Sequence, residues 1–335
     1  MKLRSKLVCF TFIALLLYLM LSGSQTLTRS ASSAVSHGSD RGGNEPSAHH
    51  LKAKTTPVSV FIGIFSTPER SDRRQLLRNV YSRVRRTGLS QSQDTLVFKH
   101  IIARPDSNVS SDALAAEQAE HNDLLFLDCN EGAEGGKTWY YFAALGKKPH
   151  IADHVEGYDD PQTKFDFVMK LDDDTYLNLP RFLDAIRLFQ GTPEVYFGRI
   201  CNLPIMPSGF HHFPYHCGLG YALSTDLCQW LSETYDESPP IKYLSAEDVE
   251  TAGWLRDGGK LFGFAAIPQS QMYSFWDRMP AHLRHKDWYQ KMTPENMQYT
   301  VDHLNKRDIA IHGLKDEEFM IAVADWFHQL ERQMQ

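Results

Sequence analysis

Residues 165–178 read FDFVMKLDDDTYLN. Phe165–Leu171 is of strand length and apolar apart from Asp166 and Lys170, which predicts a buried β-strand. The strand ends in Asp172, Asp173 and Asp174. Adjacent carboxylates repel one another and are costly to strip of water, so a strand that delivers three of them to one edge implies a compensating charge. A divalent cation supplies it. Oxygen ligands suit Mg²⁺ or Mn²⁺, which commonly bridge one or two carboxylates to substrate phosphates. A solvated acidic turn, or a cap for the next helix, is the plainer alternative. The buried strand ahead of the triplet weighs against it.

Upstream, Val58–Phe65 (VSVFIGIF) is a β-branched and aromatic run between Pro57 and Pro68, and reads as another buried strand. A helix follows, capped by Ser71 or Asp72, with Leu76, Leu77, Val80, Tyr81 and Val84 on one face. Further strands are expected at Thr95–Ala103, Leu124–Leu127, Val195–Ile200 and Gly220–Leu223. Helices are expected at Asp112–Glu120, Thr138–Leu145, Leu179–Gln190, Thr225–Thr234 and Val249–Leu255. Strands alternating with helices give an α/β fold with a mostly parallel central sheet flanked by helices. Ligands of such sheets bind beyond the carboxyl ends of the strands. That rule places the chemistry at Ser66–Arg74 and at Asp172–Asp174.

Three further groups of residues carry chemistry. Glu247 and Asp248 stand at the start of a helix, where carboxylates are favoured by the helix dipole; the functional alternative is a general base. The stretch from His211 to Tyr221 holds His211, His212 and His216, with Gly218 and Gly220 placed to let backbone approach a ligand closely. Its histidine spacing fits no zinc pattern, so these are read as polar loop residues. His312, at the end of the short apolar run Ile309-Ala310-Ile311, is by itself more readily structural than a ligand. Seven arginines fall between Arg70 and Arg86. Most belong to a solvated helix face, but Arg70 and Arg74, near a strand end, suit bidentate phosphate binding.

The remaining sequence sets the context. Lys2, Arg4 and Lys6 precede an uncharged stretch whose core, Leu7–Gly23, spans about 26 Å as a helix, slightly short of a ~30 Å hydrocarbon layer. It is expected to be a signal anchor with its basic end in the cytoplasm; a cleaved signal peptide is the rival reading. Residues 24–56 are rich in Ser, Thr, Gly and Ala and are expected to form a flexible lumenal stem. Residues 57–335 then form one domain in the secretory lumen. Of the five cysteines, Cys9 lies in the span, while Cys129, Cys201, Cys217 and Cys228 allow three disulfide pairings that sequence does not choose between. Asn108-Val109-Ser110 is a glycosylation sequon. The net charge of −6 argues against a nucleic-acid binder. Residues 1–57 carry seven basic and two acidic residues, a balance of +5, which leaves −11 on residues 58–335. An acidic domain that takes an anionic ligand has more need of a metal ion and of local arginines.

The ordered set VFIGIFS (60–66) with RRQLLRNVY (73–81), FDFVMKLDDDTYLN (165–178), YHCGLGYALS (215–224) and AEDV (246–249) resembles the β-1,3-galactosyltransferase-like glycosyltransferases of family 31, which include the β-1,3-N-acetylglucosaminyltransferase and Fringe enzymes. The resemblance covers roughly residues 58–320. It implies a GT-A-type nucleotide-sugar-binding fold, a Mn²⁺- or Mg²⁺-dependent site and an inverting transfer of a hexose from a UDP-sugar to a glycan, glycoprotein or glycolipid hydroxyl. It further implies a single-pass Golgi membrane protein with a lumenal catalytic domain. Within it, Asp174 matches the direct metal-ligand position, Asp172 and Asp173 face the nucleotide, and His312 is the candidate for the histidine that completes the metal site. Asp172 can also be a metal ligand. Lys170, Phe65, Ser66, Arg70, Arg74, Gly218 and Gly220 are donor-site candidates. Asp248 matches the catalytic base, with Glu247 beside it as the alternative. The chain departs from the family pattern at Tyr81, at Phe65 where some members carry a lysine, and around Cys217, where cysteine is displaced by one position. Two rival functions remain open: a metal-dependent phosphotransferase, which would want a phosphate-cradling loop that the sequence lacks, and a non-catalytic lumenal sugar-binding relative.

Overall fold

The computed structural model describes residues 56–87, 93–104, 111–131, 136–202, 214–235, 246–260, 263–283 and 293–334. The expected anchor and stem, the sequon at Asn108, and His211 and His212 lie outside these residues. No helix among the described residues is long and apolar enough to cross a membrane.

A seven-stranded sheet forms the centre, in the order β3-β2-β1-β4-β7-β6-β8. Its members are β1 (Ser59–Phe65), β2 (Thr95–Arg104), β3 (Leu124–Asn130), β4 (Phe167–Asp172), β6 (Val195–Asn202), β7 (Pro214–Ser224) and β8 (Gly263–Ile267). Every pairing is parallel except the two made by β7, which runs against β4 and β6. The mostly parallel α/β expectation therefore holds.

The alternation of β1 explains how the sheet is buried on both sides. Val60, Ile62 and Ile64 share one core with Leu77, Val80 and Tyr81 of helix α1 (Ser71–Thr87). Phe61 faces the other core, with Trp139, Tyr141 and Phe142 of α3 (Lys137–Lys147); α2 is Ser111–His121. A strand with both faces covered reads as a continuous apolar run, as this one does. Gly63 is required here: a Cβ at this position would lie 2.5 Å from the Tyr141 ring. That ring instead passes under the sheet, where its hydroxyl donates to the Met169 carbonyl at 2.8 Å.

Several expected boundaries move. β4 starts at Phe167 because the Asp166 carboxylate accepts the Ser59 amide at 2.7 Å, tying the chain off before the ladder begins. The helix expected over 179–190 is α4 (Leu179–Ile186) followed by a 3₁₀ turn, Arg187–Phe189. β7 is far longer than its expected Gly220–Leu223 core and brings Cys217 beside Cys201, with Cα atoms 5.3 Å apart in a disulfide between neighbouring strands. Cys129 and Cys228 are buried free thiols. The helices α5 (Thr225–Thr234) and α6 (Glu247–Asp257) follow.

A second, three-stranded sheet was not anticipated. It joins β5 (Thr175–Leu177), β10 (Ala310–His312) and β9 (Met272–Ser274), and it is closed off by α7 (Pro294–Asp302) and α8 (Glu317–Met334). Strands of three residues carry no readable periodicity. Their effect is large, because β10 runs antiparallel to β5 with His312 opposite Thr175, the residue after the acidic triplet.

Candidate active site

The parallel register of β1 and β4 sets Phe65 beside Asp172, so both strands end at one edge. Beyond that edge lie two adjoining hollows that share Phe65, Arg70, Asp172 and Asp173. One continues to Ser66, Lys137, Lys170 and Glu247; the other continues to Asp174, Trp276, His312 and Lys315. The site therefore sits where the strand-end rule places it.

Asp172, Asp174 and His312 converge, each offering one ligand atom, all within 4.8 Å of one another. The His312 Nδ1 lies 3.1 Å from Asp174 Oδ1 and 4.0 Å from Asp172 Oδ2. The Thr175 hydroxyl, 3.0 Å from the same nitrogen, donates to the Leu219 carbonyl and helps to fix the ring. Burial would lower the His312 imidazole, but the Asp174 and Asp172 carboxylates together raise it; in return His312 holds Asp174 below its usual value against burial. Burial pushes the Asp173 carboxyl up to about 6, with Asp174 and Asp172 adding to it and Arg70 and Arg73 opposing. Two carboxylate oxygens and one imidazole, all within 4.8 Å of one another, fit a hard to borderline divalent cation such as Mn²⁺ or Mg²⁺.

Lys170 anchors the other side. Its ammonium is buried and donates, at 2.6 Å each, to Asp172 Oδ1, Glu247 Oε1 and the Gly218 carbonyl. Burial alone would lower this lysine, but Asp172 and Glu247 raise it above its ordinary value, so it stays charged. Glu247 is bound on both oxygens, since Oε2 also accepts from Thr138 at 3.1 Å and Tyr221 at 2.9 Å. Among the described residues, Asp248 accepts backbone amides alone, from Gly218 at 2.8 Å and from Val249 at 2.9 Å. Burial raises both carboxyls, and Lys170 opposes it in each case.

The arginine and glycine expectations need correction. Arg74 does not face the cleft. Fully buried, it pairs with Glu117 at 2.7 Å and donates to the carbonyls of Thr67 and Pro68, so it builds the loop after β1. Burial would raise Glu117, but Arg74 and Arg78 hold it down at about 2. Arg74→Met is expected to cost about 3 kcal/mol of stability, because Glu117 is left to Arg78 alone and the carbonyls of Thr67 and Pro68 lose their donor, read as a lower midpoint in urea unfolding. In the wild type the contribution of Glu117 is present above the ordinary carboxylate pKa and is lost as pH falls toward about 2. Arg70 does line both hollows, but its guanidinium is engaged by Asp173 at 2.8 Å. Gly220 faces the core, where a Cβ would lie 3.0 Å from Leu171. Gly218 does make room, yet for carboxylates: a Cβ there would lie 2.9 Å from Glu247 Oε1. His216 is structural, buried against Tyr196, and burial lowers it to about 4. Of the aromatic residues near the site, Trp254 and Phe275 belong to the cores, and Trp276 lines the hollow around His312.

Sequence reasoning missed two features of this site. Lys137 donates to the Ser66 carbonyl at 2.6 Å and pairs with Glu131 at 2.7 Å, 5.5 Å from the Phe65 ring centroid; Lys170 stands 5.4 Å from the same centroid. Arg73 clamps the triplet from behind, donating to the carbonyls of Asp173 at 2.8 Å and Leu314 at 2.6 Å. Neither residue has a local sequence signal, because each acts on a carbonyl far away along the chain.

No family model matches the chain. Curated relatives do. β-1,3-Galactosyltransferase pvg3 of Schizosaccharomyces pombe is 25% identical over 323 residues, covering 86% of this chain and 78% of its own length. Probable β-1,3-galactosyltransferase 13 of Arabidopsis thaliana is 27% identical over 71% of this chain and 69% of its own length. β-1,3-Galactosyltransferase 6 of Mus musculus is 25% identical over 64% and 65%. The chain is thus a homologue of proteins named β-1,3-galactosyltransferases, in line with the resemblance read from its motifs. Among solved structures, the galactosyltransferase LgtC with donor and acceptor sugar analogues aligns over 80% of this chain and 95% of its own, at 12% identity and a TM-score of 0.37, too slight a likeness to argue from.

Proposed function

We propose that this chain is an inverting, metal-dependent glycosyltransferase of GT-A type that moves a hexose from a UDP-sugar to a hydroxyl of a glycan or glycoconjugate, forming a β-1,3 linkage. The names of its relatives favour galactose over N-acetylhexosamine. The observation that carries the reading is the joining of Asp172, Asp174 and His312 to Lys170 and Glu247 along one cleft, with Asp248 next to Glu247 on the Gly218 amide.

The acceptor hydroxyl is deprotonated by Asp248. This carboxylate has no cation within hydrogen-bond distance among the described residues, whereas protonating Glu247 would weaken its 2.6 Å pair with Lys170. Glu247 therefore acts as a positioning residue, holding Lys170 and through it Asp172. The acceptor oxygen attacks the anomeric carbon on the face opposite the diphosphate, so an α-linked donor gives a β-linked product with no covalent enzyme intermediate. A divalent cation held by Asp172, Asp174 and His312 supplies charge neutralisation for the departing diphosphate. Residues 7–23 anchor the chain as a type II protein of the Golgi membrane, supported by the basic flank and the uncharged span.

A donor screen tests the reading. The purified chain is incubated with Mn²⁺ and UDP-galactose, UDP-N-acetylglucosamine, UDP-N-acetylgalactosamine or UDP-glucose, and released UDP is measured with and without oligosaccharide acceptors. UDP release from one donor, abolished by EDTA, is expected. Release of inorganic phosphate without sugar transfer would favour the phosphotransferase reading. No release from any donor would favour the non-catalytic one.

A further inference from the structure

Every cation lining the two hollows, with a single exception among the described residues, is already committed. Arg70 is engaged by Asp173, Lys137 by Glu131, and Lys170 by Asp172 and Glu247. The exception is Lys315, which lines the hollow with Asp174, His312 and Trp276, is exposed, and has no hydrogen bond or ion pair with any described residue. Its backbone is nonetheless rigidly placed. The Leu314 amide donates to the Asp174 carbonyl at 2.8 Å, and Arg73 holds the Leu314 carbonyl at 2.6 Å. Gly313 makes the turn at φ 88°, with Phe275 and Trp276 filling the space a side chain would need. The charge of Lys315 acts on Asp174 without pairing with it. A lysine fixed at its root, free at its tip and set beside an acidic cluster is available to a mobile anion.

We propose that Lys315 contacts the terminal phosphate of the nucleotide diphosphate and stabilises the leaving group, an inference that rests on the nucleotide-sugar reading above. In the transfer, the bond from the anomeric carbon to the β-phosphate oxygen breaks and its electron pair stays on that oxygen. The acceptor oxygen bonds the same carbon and its proton passes to Asp248. Negative charge thus grows on the phosphate, where a positioned cation is most effective. Lys315 fills the role for which the sequence offered Arg70 or Arg74, the first engaged by Asp173 and the second locked in the loop after β1.

The test is calorimetric titration of UDP and of UMP, each with Mn²⁺, into the full chain and its Lys315→Met and Lys315→Arg variants. Lys315→Met is expected to weaken UDP about tenfold, the contribution of one charge-assisted hydrogen bond, and to leave UMP within about twofold, because UMP lacks the contacted phosphate. Lys315→Arg keeps most of the UDP affinity. An unchanged UDP affinity in Lys315→Met overturns the proposal, as does an equal loss for UDP and UMP. A wild-type chain that binds no UDP is a separate outcome, which overturns the nucleotide-sugar reading itself.

Discussion

Asp248→Asn is expected to lower turnover about 10³-fold while leaving UDP and Mn²⁺ affinity within about twofold of wild type. The substitution keeps the size of the side chain and removes its capacity to take a proton. One of the two backbone amides from Gly218 and Val249 loses its acceptor, so a modest fall in unfolding midpoint accompanies the loss of rate. Glu247→Gln gives the contrasting result. It weakens the hold on Lys170, and through Lys170 on Asp172, so donor affinity and turnover fall together. Single-turnover rates and UDP titrations on the two variants separate the roles. If Glu247→Gln loses only turnover and Asp248→Asn loses neither, the base is Glu247.

Asp174→Asn is expected to abolish measurable transfer, a loss of about 10³-fold or more, and to weaken Mn²⁺ binding measured directly by titration. EDTA should inactivate the wild-type chain to the same extent, with recovery on adding Mn²⁺, whereas the variant should not recover at micromolar metal. The variant also removes the carboxylate that faces the His312 imidazole at 3.1 Å, so His312→Gln should reproduce part of the effect. A variant that keeps wild-type activity and metal dependence would remove Asp174 from the site.

Much of this was legible along the chain. The strand over 59–65, the run ending in Asp172–Asp174 and the helix opening at Glu247 each announce themselves in a few consecutive residues. Burial on two faces leaves a continuous apolar run, and a strand end that meets water leaves carboxylates. Arg74 was misplaced because an arginine near a strand end reads the same whether it faces a ligand or a buried glutamate 43 residues away. Gly218 suggests room for a ligand, although its neighbours are the carboxylates of a helix about 30 residues on. The disulfide followed the same logic, since only the pairing of β6 with β7 selects Cys201 for Cys217.

Periodicity and neighbours along the chain were enough for the α/β class, the acidic strand end and the residue types for metal and base chemistry. Tertiary structure alone decided which of those residues meet. A three-residue strand delivers His312 to Asp174, Lys170 bridges Asp172 to Glu247, and a clamped turn leaves Lys315 at the edge of the cleft with no partner among the described residues. The physical reason is that charges compete for partners through space. Which cation stays free for a ligand depends on how every other one is satisfied, and that accounting closes only when the chain is folded.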